Sequence, residues 1–296
     1  MNTPLNTHRY LAPAKINLFL RVLRKREDGY HDILSVMQPV SLSDEIILGM
    51  EDGKGIFVEC DNKSIPCDQT NLAYRAAEAF FKTAGISKKL SIKIKKNIPV
   101  AAGLGGGSSN AAAVLKALNE IVSANISVEK LMQIGAALGS DVPFFIAGKA
   151  CIASGRGEIL DPVELPRFWY ILINPGFPVS TQWVYQNLNL TKNQENINIT
   201  ISKVKASCCG GRLEDPQILH GILINDLEDV TIRKHPEIKE VKKVLIYFGA
   251  VGALVSGSGP TVFGIFRSED KARKTFGQIK KDQRFKDMAV FLAQGI

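Results

Sequence analysis

The sequence predicts a mixed helix-and-sheet fold, arranged either as two lobes or as one large α/β unit. Three observations carry that reading. The chain has 296 residues, more than one small domain uses, since domains commonly run to about 100–200 residues. Strand-like alternation at 14–22 and at 90–98 is interleaved with helical spacing at 108–122. Hydrophobic residues make up 45% of the chain and charged residues 22%, the balance of a folded protein rather than a disordered one.

In residues 14–22, Ile16, Leu18, Leu20 and Val22 fall on one face of a strand, with Lys15, Asn17, Phe19 and Arg21 on the other. A turn at Glu27-Asp28-Gly29 precedes further strand-like sequence over 31–48, and 71–83 reads as a helix. Leu90, Ile92 and Ile94 then alternate with Ser91, Lys93 and Lys95. A glycine-rich loop leads into a helix over about 108–122, whose stripe is Ala111, Leu115, Leu118 and Val122. A second helix, 128–138, has Ser127 as N-cap and Gly139 as its stop. Pro162 and Pro166 punctuate the chain before an apolar strand at 169–173, which divides it into residues 1–164 and 165–296. Beyond lie helical sequence around 239–248 and strands at 252–256 and 261–266, the strands separated by Gly257-Ser258-Gly259-Pro260.

Composition excludes several classes. The five cysteines (Cys60, Cys67, Cys151, Cys208 and Cys209) form no C-x-x-C pair and read as free thiols in a reducing compartment. Residues 1–10 lack the apolar run of a signal peptide, and the uncharged stretches 97–115 and 248–266 are broken by glycines and serines. The expectation is a cytoplasmic protein with no membrane partner. A net charge of +8 suits RNA or a polyanionic small molecule equally.

The strongest local signal is Pro99-Val100-Ala101-Ala102-Gly103-Leu104-Gly105-Gly106-Gly107-Ser108-Ser109. Glycines let the backbone approach a ligand, and the following helix offers unpaired N–H groups and the positive end of its dipole, a combination that suits phosphate. It is neither a Walker A loop nor G-x-G-x-x-G. The plain alternative is a tight strand-to-helix turn. Ser108 and Ser109 could cap the helix or ligate a metal. Lys15 and Asn17 share a face that is either solvated or, as Phe19 argues, part of a cleft, where a lysine could stabilise phosphate or hold a carboxylate ionised. Asp141, after a helix stop and before Pro143, is either an N-cap or a carboxylate placed to accept a hydroxyl proton. Tyr30, His31 and Tyr185 taken singly read as core or surface aromatics. None of His8, His220 and His235 stands at metal-ligand spacing to another His or Cys.

Taken together, Pro13-Ala14-Lys15-Ile16-Asn17-Leu18, Asp28-Gly29-Tyr30-His31, the loop 99–110, Gly139-Ser140-Asp141-Val142-Pro143 and Ser256-Gly257-Ser258-Gly259-Pro260-Thr261-Val262-Phe263 resemble, in order, the small-molecule kinases of the GHMP superfamily. The resemblance spans about 12–266 and implies a two-lobed α+β fold, with an N-terminal ribosomal-protein-S5-like lobe, a C-terminal ferredoxin-like lobe, and ATP and substrate meeting between them. It further implies that Lys15 and Asp141 are the catalytic pair and that 99–109 wraps the ATP phosphates, with Asn71 and Lys96 near the adenine. Pro-Ala-Lys-Ile-Asn with Gly-Tyr-His points to a member acting on a substrate with a cytidine diphosphate group. Tyr30 and Tyr185 would stack on the cytosine, His31 read its polar edge, and Asn17 and Thr181 help hold the substrate. Magnesium is expected with ATP, its ligands not readable; no nucleic acid is expected, and the chain would act as a monomer or homodimer. The segment 193–216, with vicinal Cys208 and Cys209, fits no motif of the family.

Overall fold

In the computed structural model, which describes residues 7–190, 197–208, 210 and 212–296, the chain opens on two long strands, β1 (Thr7–Lys25) and β2 (His31–Glu51). β3 (Gly55–Cys60), α1 (Leu72–Ala84), β4 (Lys89–Lys95), α2 (Gly106–Ile121), α3 (Val128–Leu138) and α4 (Val142–Ala147) follow. Next come β5 (Cys151–Gly155), β6 (Ile159–Pro162), β7 (Trp169–Asn174), α5 (Thr181–Gln186), α6 (Ile197–Cys208), α7 (Pro216–Ile222) and β8 (Ile224–Asn225). Last are α8 (Glu228–Lys234), α9 (Glu237–Tyr247), β9 (Gly252–Val255), β10 (Val262–Phe266), α10 (Glu269–Lys281) and β11 (Ala289–Gln294).

These elements form two compact units built from interleaved segments. One holds the described residues up to Ala14 together with Ser43–Ile98 and Gly105–Gly148; the other holds Lys15–Leu42, Pro99–Leu104 and the described residues from Lys149 onward. The 164/165 division expected from Pro162 and Pro166 falls inside the second unit.

In the first unit β3 runs parallel to β4, and β4 pairs antiparallel with the distal half of β2, Ile46 opposite Ile94. Helices α1 and α2 pack on each other. Their buried alanines, Ala73, Ala76 and Ala77 on one and Ala111, Ala112 and Ala117 on the other, allow close approach. The α3 boundaries follow the caps read from sequence: the Ser127 side chain accepts from Lys130 N, and Gly139 ends the helix. Helix α2 starts earlier than its apolar stripe predicts. Gly105 takes a left-handed φ of 73° as the N-cap, so Gly106 and Gly107 already belong to the first turn.

In the second unit the proximal half of β2 pairs with β5, β5 with β6, and β1 runs parallel to the short β8. A separate antiparallel sheet has the order β11-β7-β10-β9. Counted by appearance that order is 4-1-3-2, the ferredoxin-like arrangement expected for the C-terminal lobe. Helices α9 and α10 pack on this sheet. The core there is formed by Ile171, Ile173, Val241, Leu245, Val262 and Phe266. Among the described residues no helix is long and apolar enough to cross a membrane. Cys60, Cys67 and Cys151 are free, and burial pushes the Cys151 thiol up to about 11. Of the 193–216 segment, residues 193–196, Cys209 and Gly211 lie outside the described residues.

Candidate active site

In the second unit the site begins on β1. Lys15 and Asn17 are only 5% and 3% exposed, so the face they share with Phe19 is buried rather than solvated. A buried ammonium must be hydrogen-bonded. Lys15 Nζ donates to Asn17 Oδ1 at 2.6 Å, Asn17 Nδ2 to Ser35 Oγ at 2.8 Å, and Ser35 Oγ to the Phe19 carbonyl at 2.6 Å. This relay fixes Asn17 as an acceptor toward the lysine. Lys15 N also donates to the Leu104 carbonyl at 3.0 Å, tying β1 to the segment Pro99–Leu104.

The loop from Ser256 to Pro260 closes on the same residues. A Cβ on Gly103, where φ is 76°, would stand 2.1 Å from the Ser256 carbonyl oxygen, so no side chain fits there. Ser256 Oγ donates to the Gly103 carbonyl at 3.0 Å. A Cβ on Gly257 would lie 3.3 Å from both Lys15 Nζ and Asn17 Oδ1, so the glycine brings backbone to the edge of the ammonium. Asn225 Nδ2 holds the loop through the Val255 and Gly257 carbonyls, and Thr181 Oγ1 shares a 2.8 Å hydrogen bond with Ser258 Oγ. Thr181 therefore meets the loop through its hydroxyl.

The aromatic residues also gather in this unit. His31 and Tyr185 stack on each other, centroids 4.9 Å apart and planes 30° from parallel. Tyr30 is 56% exposed and carries the Arg156 guanidinium 5.1 Å above its ring. Burial first, then the Lys25 charge, hold the His31 imidazole below its ordinary value of 6.5. A neutral imidazole has one donor and one acceptor nitrogen, as reading a base edge requires.

In the first unit Asp141 stands at the start of α4 with φ −84° and ψ −12°, and its carboxylate makes no capping bond to that helix. The capping reading of Asp141 is thereby set aside. Ser108 and Ser109 do not cap α2 either. Ser108 Oγ would lie 3.6 Å from a Cβ on Gly139, two residues before Asp141. Ser109 is 1% exposed and its hydroxyl has no partner among the described residues.

Beneath the start of α2 lies a residue that the sequence reading did not single out. Asp44 is fully buried. It accepts from Asn97 N, Ile98 N and Asn110 Nδ2, each at 2.8 Å, and from the Lys96 ammonium. One carboxylate thus joins the end of β4 to the first turns of α2. Lys96 Nζ would be 3.0 Å from a Cβ on Gly106, which places this lysine under the glycines as the partner of Asp44. Asn71 caps α1: its Oδ1 accepts from Ala73 N at 2.8 Å and its Nδ2 donates to the Pro66 carbonyl at 2.7 Å. Among the described residues no cluster of three or more His, Cys, Asp or Glu side chains is placed to hold a metal.

Asp44 in the first unit and Arg156 in the second are residues the sequence reading did not single out, whereas Gly257 and Ser258 stood in the motif that carried the resemblance without a role assigned. Gly155-Arg156-Gly157 carried a turn signal that could have marked Arg156. Asp44, between Ser43 and Glu45 on a strand, carried none.

Two family models match the chain, GHMP kinases N terminal domain over residues 71–149 and GHMP kinases C terminal over 214–283. The 4-diphosphocytidyl-2-C-methyl-D-erythritol kinase of Syntrophotalea carbinolica is 49% identical over 95% of this chain and 97% of its own length. The kinase of the same name from Geobacter metallireducens is 47% identical over 88% of this chain and 90% of its own. A crystal structure of 4-(cytidine 5'-diphospho)-2C-methyl-D-erythritol kinase superposes with a TM-score of 0.80 at 32% identity, covering 98% of this chain and all of that one. Homoserine kinase from Cytophaga hutchinsonii, at 20% identity and TM-score 0.71, shares the fold.

Proposed function

Since the chain belongs to the 4-diphosphocytidyl-2-C-methyl-D-erythritol kinases of the GHMP family, we propose that it transfers the γ-phosphoryl group of ATP to the 2-hydroxyl of 4-diphosphocytidyl-2-C-methyl-D-erythritol. The products are the 2-phosphate and ADP, a step of the non-mevalonate route to isoprenoid precursors. The observation that carries the choice of substrate is the stacked His31–Tyr185 pair in one unit with the exposed Tyr30, a set of flat surfaces for a base.

Phosphoryl transfer asks an enzyme chiefly to position reactants and stabilise charge. Asp141 accepts the proton of the attacking hydroxyl as its oxygen bonds to the γ-phosphorus, and the bond to the ADP oxygen breaks with its electron pair. Lys15, held by Asn17 and closed over by Gly257, offsets negative charge as it develops. Residues 99–109 cradle the triphosphate through backbone N–H groups. Magnesium bound with ATP would neutralise phosphate charge; of the residues present, the orphaned buried Ser109 hydroxyl, with Ser108 beside it, fits a cation or phosphate oxygen. Tyr30 and Tyr185 stack on the cytosine, His31 reads its edge, and Asn17 and Thr181 help hold the substrate, while Asn71 and Lys96 lie near the adenine. The charge of +8 serves polyanionic nucleotides rather than nucleic acid. The protein works in the cytoplasm as a monomer or homodimer. A coupled ADP-release assay tests the reading: turnover with the cytidine substrate and silence with mevalonate and homoserine are expected, and the reverse pattern would overturn it.

A further inference from the structure

Stacking on a base favours an aromatic ring that is already in place, because a side chain that must be immobilised on binding subtracts from affinity. Tyr30 is 56% exposed, so the interior of the protein does not hold its ring. Its backbone is fixed: Tyr30 N donates to Asp28 Oδ1 at 3.1 Å, and Arg26 N donates to the Tyr30 carbonyl at 2.8 Å. Neither bond restrains the ring. The Arg156 guanidinium does meet it, 5.1 Å from the centroid, inside the limit of about 6 Å at which a cation is attracted to an aromatic face.

The fold builds this contact. Arg156 lies in the turn that joins β5 to β6, and β5 pairs with β2 so that Gly155 stands opposite Ile33, three residues beyond Tyr30. Both residues belong to the second unit. Gly155 and Gly157 take positive φ values of 69° and 114°, which let the turn reverse tightly on either side of the arginine. Glu158 then grips Arg156 twice. Its Oε2 accepts from Arg156 N at 2.6 Å and its Oε1 from Nε at 3.4 Å. The two side chains are 30% and 25% exposed, so this pair is partly shielded from solvent. A guanidinium held along one edge by a carboxylate keeps its flat face for stacking.

An aromatic ring has two faces, and one cation covers one of them. We propose that Arg156 is a positioning residue for the substrate's base: it holds the Tyr30 ring by one face and leaves the other for the cytosine. The inference rests on the cytidine reading above and adds to it a residue that meets the ring rather than the substrate.

Calorimetry on the full chain, with cytidine 5'-monophosphate as the probe, tests this through a double-mutant cycle of Arg156→Ala and Tyr30→Leu, neither residue being buried. Arg156→Ala should weaken the probe about 2- to 5-fold in the otherwise wild-type chain, the scale of an exposed cation–ring contact. Once Tyr30→Leu has removed the ring, the same substitution should change nothing. Steady-state rates on the full substrate should show KM raised by the same factor with kcat unaltered. Because the cation acts through the ring, cytidine and cytidine 5'-diphosphate should lose as much affinity as the monophosphate. Equal losses in the two backgrounds, or a loss confined to the phosphorylated probes, would overturn the inference, since Arg156 would then support the turn alone or touch the substrate itself. Tighter binding by Arg156→Ala would also overturn it, because the guanidinium would then occupy the face that the base needs. A wild-type chain that does not bind the probe would refute the cytidine reading and this inference with it, whereas wild-type binding that Arg156→Ala leaves unchanged would refute the inference alone.

Discussion

Replacing Asp44 by asparagine probes how the glycine loop is held. The carboxylate is fully buried, and the Lys96 side chain that pairs with it is only 5% exposed. Asparagine keeps one oxygen for the Asn97 and Ile98 N–H groups but turns an NH₂ toward the Lys96 ammonium and the Asn110 amide, both of which are donors. Removing one partner of a buried ion pair costs about 3–5 kcal/mol, because the remaining charge is left uncompensated. That is a large part of the ~5–15 kcal/mol that keeps a typical domain folded. The expected result is an unfolding free energy lowered by that amount in urea titration, the midpoint falling by that loss divided by the m-value. ATP binding should weaken in the folded fraction, because Asn97 and Ile98 lead directly into Pro99. Adding Lys96→Met removes the stranded charge, so the double variant should be more stable than Asp44→Asn alone. A single variant within about 1 kcal/mol of wild type would refute the reasoning, since the carboxylate would then not be compensating a buried charge.

Asp141→Asn should leave folding and ATP affinity intact while lowering turnover by ~10²-fold or more, the usual scale for a lost general base; Lys15→Ala should also be slow, and rates of the double variant should show that the two losses do not add. Gly106→Val should weaken ATP far more than the cytidine substrate in calorimetry, because its branches would press on Lys96 Nζ and Ile98; equal ATP affinity would return the loop to a plain turn. Tyr185→Ala should raise KM for cytidine and uridine analogues alike by ~5- to 150-fold, one stacking interaction, whereas His31→Ala should erase the preference for cytosine. Because the folded imidazole of His31 titrates below 6.5, KM should be flat above that pH and rise as pH falls through the depressed value, where protonation removes the acceptor nitrogen. The same depression means that the His31 contribution to stability is complete above 6.5 and is lost on acidification through the folded value.

What could be read from the sequence follows from how local each signal is. Ser127 and Gly139 bound α3 by cap chemistry that needs only neighbouring residues, and both stand where expected. The strand at 14–22 was legible in its alternation, but β1 extends to Thr7 and Lys25, and over Ile16–Leu20 it is buried on both faces. Burial on both faces is what Phe19 hinted at and what makes Lys15 and Asn17 interior groups. Asp44 was invisible because its partners, Lys96 to Ile98 and Asn110, lie 52 to 66 positions along the chain and meet it only in the fold. The pairing of His31 with Tyr185, and of Tyr30 with Arg156, has the same cause: each residue alone carries no directional signal. Pro162 and Pro166 mark a local break that neighbouring residues make legible, whereas the interleaving of segments into compact units is set by contacts far apart in the chain.

The central claim concerns which hydroxyl receives the phosphoryl group and on which molecule. Phosphorus NMR of one mixture holding the enzyme, ATP with magnesium, 4-diphosphocytidyl-2-C-methyl-D-erythritol, mevalonate and homoserine tests it most directly. A single new phosphomonoester resonance, coupled to nothing on the terminal carbons and growing as the γ-phosphate signal falls, is the predicted result, with the diphosphate of the cytidine substrate intact. A phosphomonoester assigned to mevalonate or homoserine, with the cytidine substrate unchanged, would contradict the account.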